Sequence, residues 1–262
     1  MAPIAEKAAP NSFVALIPVP WGLSSGPMLG EVHGETWLEV ADYEVIALAS
    51  DAAYPGQGQV RFEHGPAAQI IIEEPIEQLV SMAAMSREPF TAVEAVLLKE
   101  HAAIWRVTML TEREHCLETA RRFARIVSTF VEAGAPGVFL PFSLEMHSPG
   151  FIKQQAVDLE QLPAVVNLFV AAWNQDKWMM TRGLTVFGLP ELETLVDEGL
   201  NAAYFCLMDV ASAMIAQQDA YPPGSRLQIG PKLYQVAAGP LGPRDEKVPI
   251  CGAFGVLSIA TA

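Results

Sequence analysis

The side chains in this chain best spaced for chemistry are a histidine and a carboxylate. His147 follows Glu145 by two residues in Ser-Leu-Glu-Met-His-Ser-Pro-Gly, just past an apolar run. Active sites of α/β sheets collect in loops at the carboxyl ends of strands, so this pair could act as acid and base in a hydrolase or a small-ligand enzyme. The competing reading is an exposed loop imidazole. His33 with Glu35, and His64 with Glu63, resemble split metal ligands. A metal needs three or four converging donors, and two loop histidines beside glycines fall short, so no metal is expected. The phosphate-cradling loops G-x-x-x-x-G-K-[ST] and G-x-G-x-x-G are absent, as is a G-x-S-x-G nucleophile elbow. No cofactor is expected.

Binding chemistry has more material. Glu31, Glu35, Glu39, Asp42 and Glu44 alternate with apolar residues, as on a half-exposed strand. Pro190 starts an expected helix with Leu192, Leu195 and Val196 inward and Glu191, Glu193, Asp197 and Glu198 outward. A solvated face is the ordinary reading of such charge, and a face for a basic partner is the sharper one. Trp173 and Trp178 flank Asn-Gln-Asp-Lys at an expected turn, where exposed tryptophan would suit a contact site and plain packing is the equal alternative.

The elements that must position these residues are clearest over residues 101–141. His-Ala-Ala-Ile-Trp-Arg-Val-Thr-Met-Leu has the β-branched and aromatic content of a buried strand. Thr111 and Glu114 then form a Thr-x-x-Glu capping box. The helix that follows puts Cys116, Leu117, Ala120, Phe123, Ala124, Val127, Phe130 and Val131 on one stripe, and a strand at 137–140 completes a parallel strand-helix-strand unit. Strands are expected at 12–19, 60–63, 68–73, 163–173, 181–188, 227–229, 233–237 and 250–259. Helices are expected at 75–83, 89–97, 151–161 and 202–217, the last apolar nearly all round with Asn201 as its cap. The fold class is therefore α+β, a mixed β-sheet with packed helices and a central parallel strand-helix-strand unit. One domain over 1–262 is expected, with residues 1–11 a loose leader and a subdomain boundary, if any, near Pro89.

The chain has 262 residues, of which 51% are apolar and 18% charged, enough to bury a sizeable core. Thirty acidic residues against 16 basic ones give a formal charge of −14. That balance excludes nucleic acid and anionic membranes as partners, because both recruit clustered Lys and Arg. Cys116, Cys206 and Cys251 are odd in number and far apart, which suits a reducing cytoplasm rather than a disulfide framework. The first ten residues lack a basic-then-apolar signal, and Pro18, Pro20 and Pro27 break the uncharged stretch that follows. A cytoplasmic location is expected.

Over residues 101–262 the order of features resembles an uncharacterised bacterial family, domain-of-unknown-function family 4261. The resemblance rests on the strand HAAIWRVTM, the segments EAGAPGVFLP and PAVVNLFVAAW, and above all Thr181-Arg182-Gly183-Leu184-Thr185-Val186-Phe187-Gly188-Leu189-Pro190-Glu191-Leu192-Glu193. It implies an α+β fold and carries no catalytic residues. That family's Asp-Gly-rich turn is replaced here by YPPGSRLQIG. The expected function is a non-enzymatic intracellular protein that binds a basic protein partner, in its most concrete form an immunity or accessory protein of a bacterial toxin-delivery system. The alternative is the hydrolase or small-ligand enzyme at His147 and Glu145.

Overall fold

The computed structural model describes residues 12–20, 43–48, 56–62, 68–240 and 254–261. The chain has an α+β fold and divides into two compact units. Unit 1 holds Ser12–Thr111 and Glu118–Glu160, so Pro89 lies inside it; unit 2 holds Gln161–Ala262 with the short segment Glu112–Leu117.

Unit 1 is built on a seven-stranded sheet. Its strands are β1 (Ser12–Val19), β2 (Tyr43–Leu48), β3 (Gly56–Phe62), β4 (Ala68–Glu73), β5 (Ala103–Leu110), β6 (Val138–Leu140) and β7 (Glu145–His147), in the order β2-β3-β4-β5-β1-β6-β7. Strand β1 runs antiparallel to both β5 and β6. Strands β5 and β6 therefore run parallel to each other, as the strand-helix-strand pattern requires, but they are not neighbours because β1 lies between them. The central position explains why all eight residues of SFVALIPV are buried: both faces of this strand are covered.

Helix α3 (Cys116–Glu132) covers one face. Its stripe is inward as expected, with Phe123 packed on Phe13 at 5.7 Å and Phe130 edge-on to Trp105 at 5.3 Å. A 3-10 turn at Arg113–His115 precedes this helix, and the Thr111 hydroxyl donates to Thr119 Oγ1 at 2.9 Å. On the other face Val14, Leu16, Ile104, Phe139 and Met146 pack against Leu79 of α1 (Gln78–Ala83) and Leu98 of α2 (Ala92–Lys99). Thr91 and Glu94 close a capping box on α2. His101 ties the pair together: Nδ1–H donates to the Leu98 carbonyl at 2.5 Å, and Nε2 accepts from Ile76 N–H at 3.0 Å. Unit 1 also contains α4 (Pro149–Val157).

Unit 2 carries a six-stranded mixed sheet of β8 (Ala171–Gln175), β9 (Trp178–Arg182), β10 (Glu191–Leu195), β11 (Arg226–Ile229), β12 (Lys232–Ala238) and β13 (Val256–Thr261). The order is β11-β12-β13-β10-β9-β8, with β10 parallel to β13 and the remaining neighbours antiparallel. Three expectations change here. Residues 163–173 divide into a helix, α5 (Leu162–Phe169), and strand β8, because Pro163 sits in the first helical turn, where its missing N–H costs nothing. Of the strand expected at 181–188 only Thr181 and Arg182 are strand, as the end of β9; Leu184–Phe187 is a 3-10 turn between Gly183 (φ 112°) and Gly188 (φ 72°). A Cβ at Gly183 would stand 2.0 Å from the Phe169 carbonyl oxygen, so the position needs glycine for space as well as for φ.

The third change is the acidic helix after Pro190, which is strand β10. Glu and Leu favour a helix locally, but this segment pairs with β9 on one side and β13 on the other, and sheet pairing overrides the local preference. Helix α6 (Leu200–Gln217) follows, capped at Gly199 with Asn201 inside it. Among the described residues it is long and apolar enough to cross a membrane by length and composition. Here it packs along β10 and buries Leu207, Val210, Ala211 and Met214, but Phe205 stays exposed, so it is not apolar-buried all round.

Candidate functional site

The change from helix to strand removes Glu191 and Glu193 from any surface: they are 2% and 1% exposed. Glu191 Oε1 accepts from the amides of Gly183 at 2.9 Å and Thr185 at 3.3 Å, and Oε2 accepts from the Thr181 hydroxyl at 2.8 Å. Thr181 Oγ1 in turn accepts from Leu192 N–H at 2.8 Å. The carboxyl thus caps the 3-10 turn from inside the fold. Burial pushes its pKa up to about 7 against these hydrogen bonds. Glu193 accepts from the Ser258 hydroxyl across the β10–β13 pair. Both residues hold the sheet and turn together, and neither can meet a partner.

Asp197 and Glu198 remain exposed in the turn that leads from β10 to α6. They line a cavity of about 270 Å³ together with Trp178, Leu195, Ala203, Cys206, Lys232, Tyr234 and Ser258 among others. Three of the cavity's four hydroxyls are already committed: Thr194 donates to the Ile259 carbonyl at 2.7 Å, Tyr234 to Asp209 at 3.1 Å, and Ser258 to Glu193, which leaves that of Thr261. Burial pushes the Cys206 thiol up to about 11, so it stays protonated at neutral pH and is a poor nucleophile. Burial and the Asp209 carboxylate together raise the Tyr234 hydroxyl well above its usual range. Among the described residues Asp197, Glu198 and Lys232 form no ion pair, so the cavity is bordered by two unneutralised carboxylates and one ammonium.

The expected exposed tryptophans behave differently. A two-residue turn at Asp176 and Lys177 joins β8 to β9, with Asp176 at φ 54°. Trp178 is 8% exposed and forms part of the cavity wall. Trp173 is half-buried beneath the Arg182 guanidinium, 4.4 Å from its ring centroid. Packing therefore accounts for most of both side chains.

His147 is not a loop imidazole. It ends β7, is 3% exposed, and stacks on Phe151 at 4.7 Å. Its Nδ1 is 3.9 Å from Glu145 Oε2, beyond hydrogen-bonding distance. Glu145 pairs instead with Arg87 Nε at 2.8 Å, and Arg87 also lies over the Phe151 ring. Burial raises the Glu145 pKa, with Arg87 opposing. The two side chains belong to a packed cluster within unit 1, and neither lines the cavity of unit 2. No group of three or more His, Cys, Asp and Glu side chains suited to a metal ion occurs among the described residues. Glu35, Glu39, Asp42, His33, His64 and Cys251 lie outside the described residues.

Sequence reasoning missed the apolar part of this site. Leu195, Leu200 and Phe205 are 38%, 52% and 55% exposed on either side of Asp197 and Glu198. The signal was Tyr204-Phe205: adjacent helical residues diverge by about 100°, so both cannot enter one buried stripe.

No protein-family model matches the chain, and neither a curated protein nor a solved structure matches it.

Proposed function

We propose that this is a non-enzymatic protein-binding protein that engages a basic partner through unit 2. The carrying observation is the surface around the β10–α6 turn. Leu195 and Leu200 expose apolar area on either side of Asp197 and Glu198 along the chain, Phe205 is exposed further along α6, and the two charges are unpaired among the described residues. Exposed apolar side chains next to unpaired acids are the composition of an interface that draws in a cationic partner and then desolvates. The chain's charge of −14 acts in the same sense and disfavours nucleic acid and anionic membranes as partners. The muted Cys206 and Tyr234, and the His147–Glu145 separation, give the enzyme reading less support. An immunity or accessory role in toxin delivery in the cytoplasm is the concrete form of this proposal. Membership of family 4261 belongs with this proposal and rests on the residue pattern over 181–193.

The test begins with a tagged chain in its native host. A captured protein is identified, purified separately and mixed with the chain, and association is timed at several salt concentrations. The expected outcome is a direct complex whose on-rate falls with salt. Asp197→Lys with Glu198→Lys should slow it at low salt and leave it nearly unchanged at high salt. An on-rate indifferent to both salt and charge reversal overturns the proposal.

A further inference from the structure

We propose that the unit 2 cavity receives one basic side chain of the partner, an arginine or lysine, inserted between Trp178 and the Asp197–Glu198 turn. This rests on the partner-binding reading and names what the site recognises. Three observations carry it. The first is size: at about 270 Å³ the cavity is below the roughly 300–1,000 Å³ of drug-sized ligand sites, and it suits one side chain. The second is its polar inventory. Three of its four hydroxyls, on Thr194, Tyr234 and Ser258, donate their protons inside the fold, which leaves only that of Thr261 to offer an anion. The lining charges without an ion pair among the described residues are Asp197, Glu198 and Lys232, an excess of one carboxylate. The third is the wall: Trp178, Leu195, Ala203 and Ala237 would pack the methylene stem of a long cationic side chain while its head stays with the carboxylates. A glutamate or aspartate would meet two like charges, and a purely apolar side chain would leave both carboxylates without a counter-ion.

The experiment titrates the full-length, isotope-labelled chain with N-acetyl-arginine amide, and separately with the leucine and glutamate analogues. It reads the backbone amide signals of Thr194, Ala203, Cys206 and Ser258. Arginine amide should shift these signals saturably, whereas the other two should not. Asp197→Lys with Glu198→Lys should weaken the arginine amide at least tenfold. Lys232→Glu should tighten it, because the opposing ammonium is replaced by a third carboxylate. All three positions are exposed, and an unchanged amide spectrum elsewhere confirms that the variants are folded. No saturable shift with arginine amide, equal shifts with leucine or glutamate amide, or weaker binding by the Lys232 variant overturns the proposal. Its failure is separable from failure of the partner-binding reading. A salt-steered partner complex without an arginine shift removes the cavity's role alone. An arginine shift with no partner leaves a cation-binding cavity and removes the partner.

Discussion

The two sheets of this protein treat charge in opposite ways. In unit 1 the sheet is apolar on both faces along β1, and its cations meet carboxylates near the surface: Arg87 with Glu145, Arg106 with Glu73, Arg125 with Glu160. Such exposed or half-exposed pairs are each worth about 1 kcal/mol or less, so the apolar packing sustains this unit. In unit 2 two carboxylates enter the sheet itself, satisfied by hydroxyls and amides, and two more border a cavity without an ion pair among the described residues. Buried polar networks carry a free-energy cost that simple packing avoids. The difference teaches where to look for function: unit 1 reads as scaffold, and the costly arrangement in unit 2 surrounds the proposed binding surface.

The largest expected effect tests the scaffold half of that contrast. Phe123 is fully buried against Phe13, so Phe123→Ala should cost about 3–5 kcal/mol in chemical denaturation. A loss below about 1 kcal/mol would show that the α3 stripe does not hold the sheet.

Glu191 tests the other half through pH. Its folded pKa is raised, so the folded state holds this proton more tightly than the unfolded chain does. The stabilisation is complete below the ordinary carboxyl pKa of 4.5 and is lost as pH rises to about 7. The difference amounts to about 3 kcal/mol, taking roughly 1.4 kcal/mol per pKa unit. Denaturation across this window should show wild type losing stability relative to Glu191→Gln, the uncharged isostere of the protonated acid, as pH rises. Parallel curves would mean that Glu191 does not titrate there. The rise at Glu145 has the same sign, and both proteins share it.

A smaller effect is expected at the cavity wall. Tyr234→Phe removes the hydroxyl donated to Asp209 and should cost about 0.5–1.5 kcal/mol in thermal or chemical denaturation. If Tyr234→Phe instead abolished partner capture while stability held, Tyr234 would be a contact residue rather than a wall.

The strength of local signals decided what could be read in advance. The α3 stripe was legible because Phe123, Val127 and Phe130 recur at helical spacing, and the β1 strand because SFVALIPV is uninterrupted. That Gly183 sits against the Phe169 carbonyl was not legible, and a strand was expected there. The candidate site was legible in part: Asp197 and Glu198 kept their exposure, but Glu191 and Glu193, on the same run, did not. Nothing local distinguishes these pairs, because the distinction lies in which residues β9 and β13 pair with.

By itself, then, the chain's sequence determined its α+β class, its acidic character and the α3 core face, all properties of residue type and short spacing. The tertiary structure decided that 191–195 is a central strand and that β1 inserts between β5 and β6. It also decided that His147 stacks on Phe151 out of hydrogen-bond reach of Glu145, and that Trp178, Asp197 and Lys232 border one cavity. The physical reason is common to all four: each depends on contacts between residues distant along the chain or on the orientation of side chains once packed, and for Glu191 those contacts outweighed a helical preference of only a few tenths of a kcal/mol per residue, about 0.5.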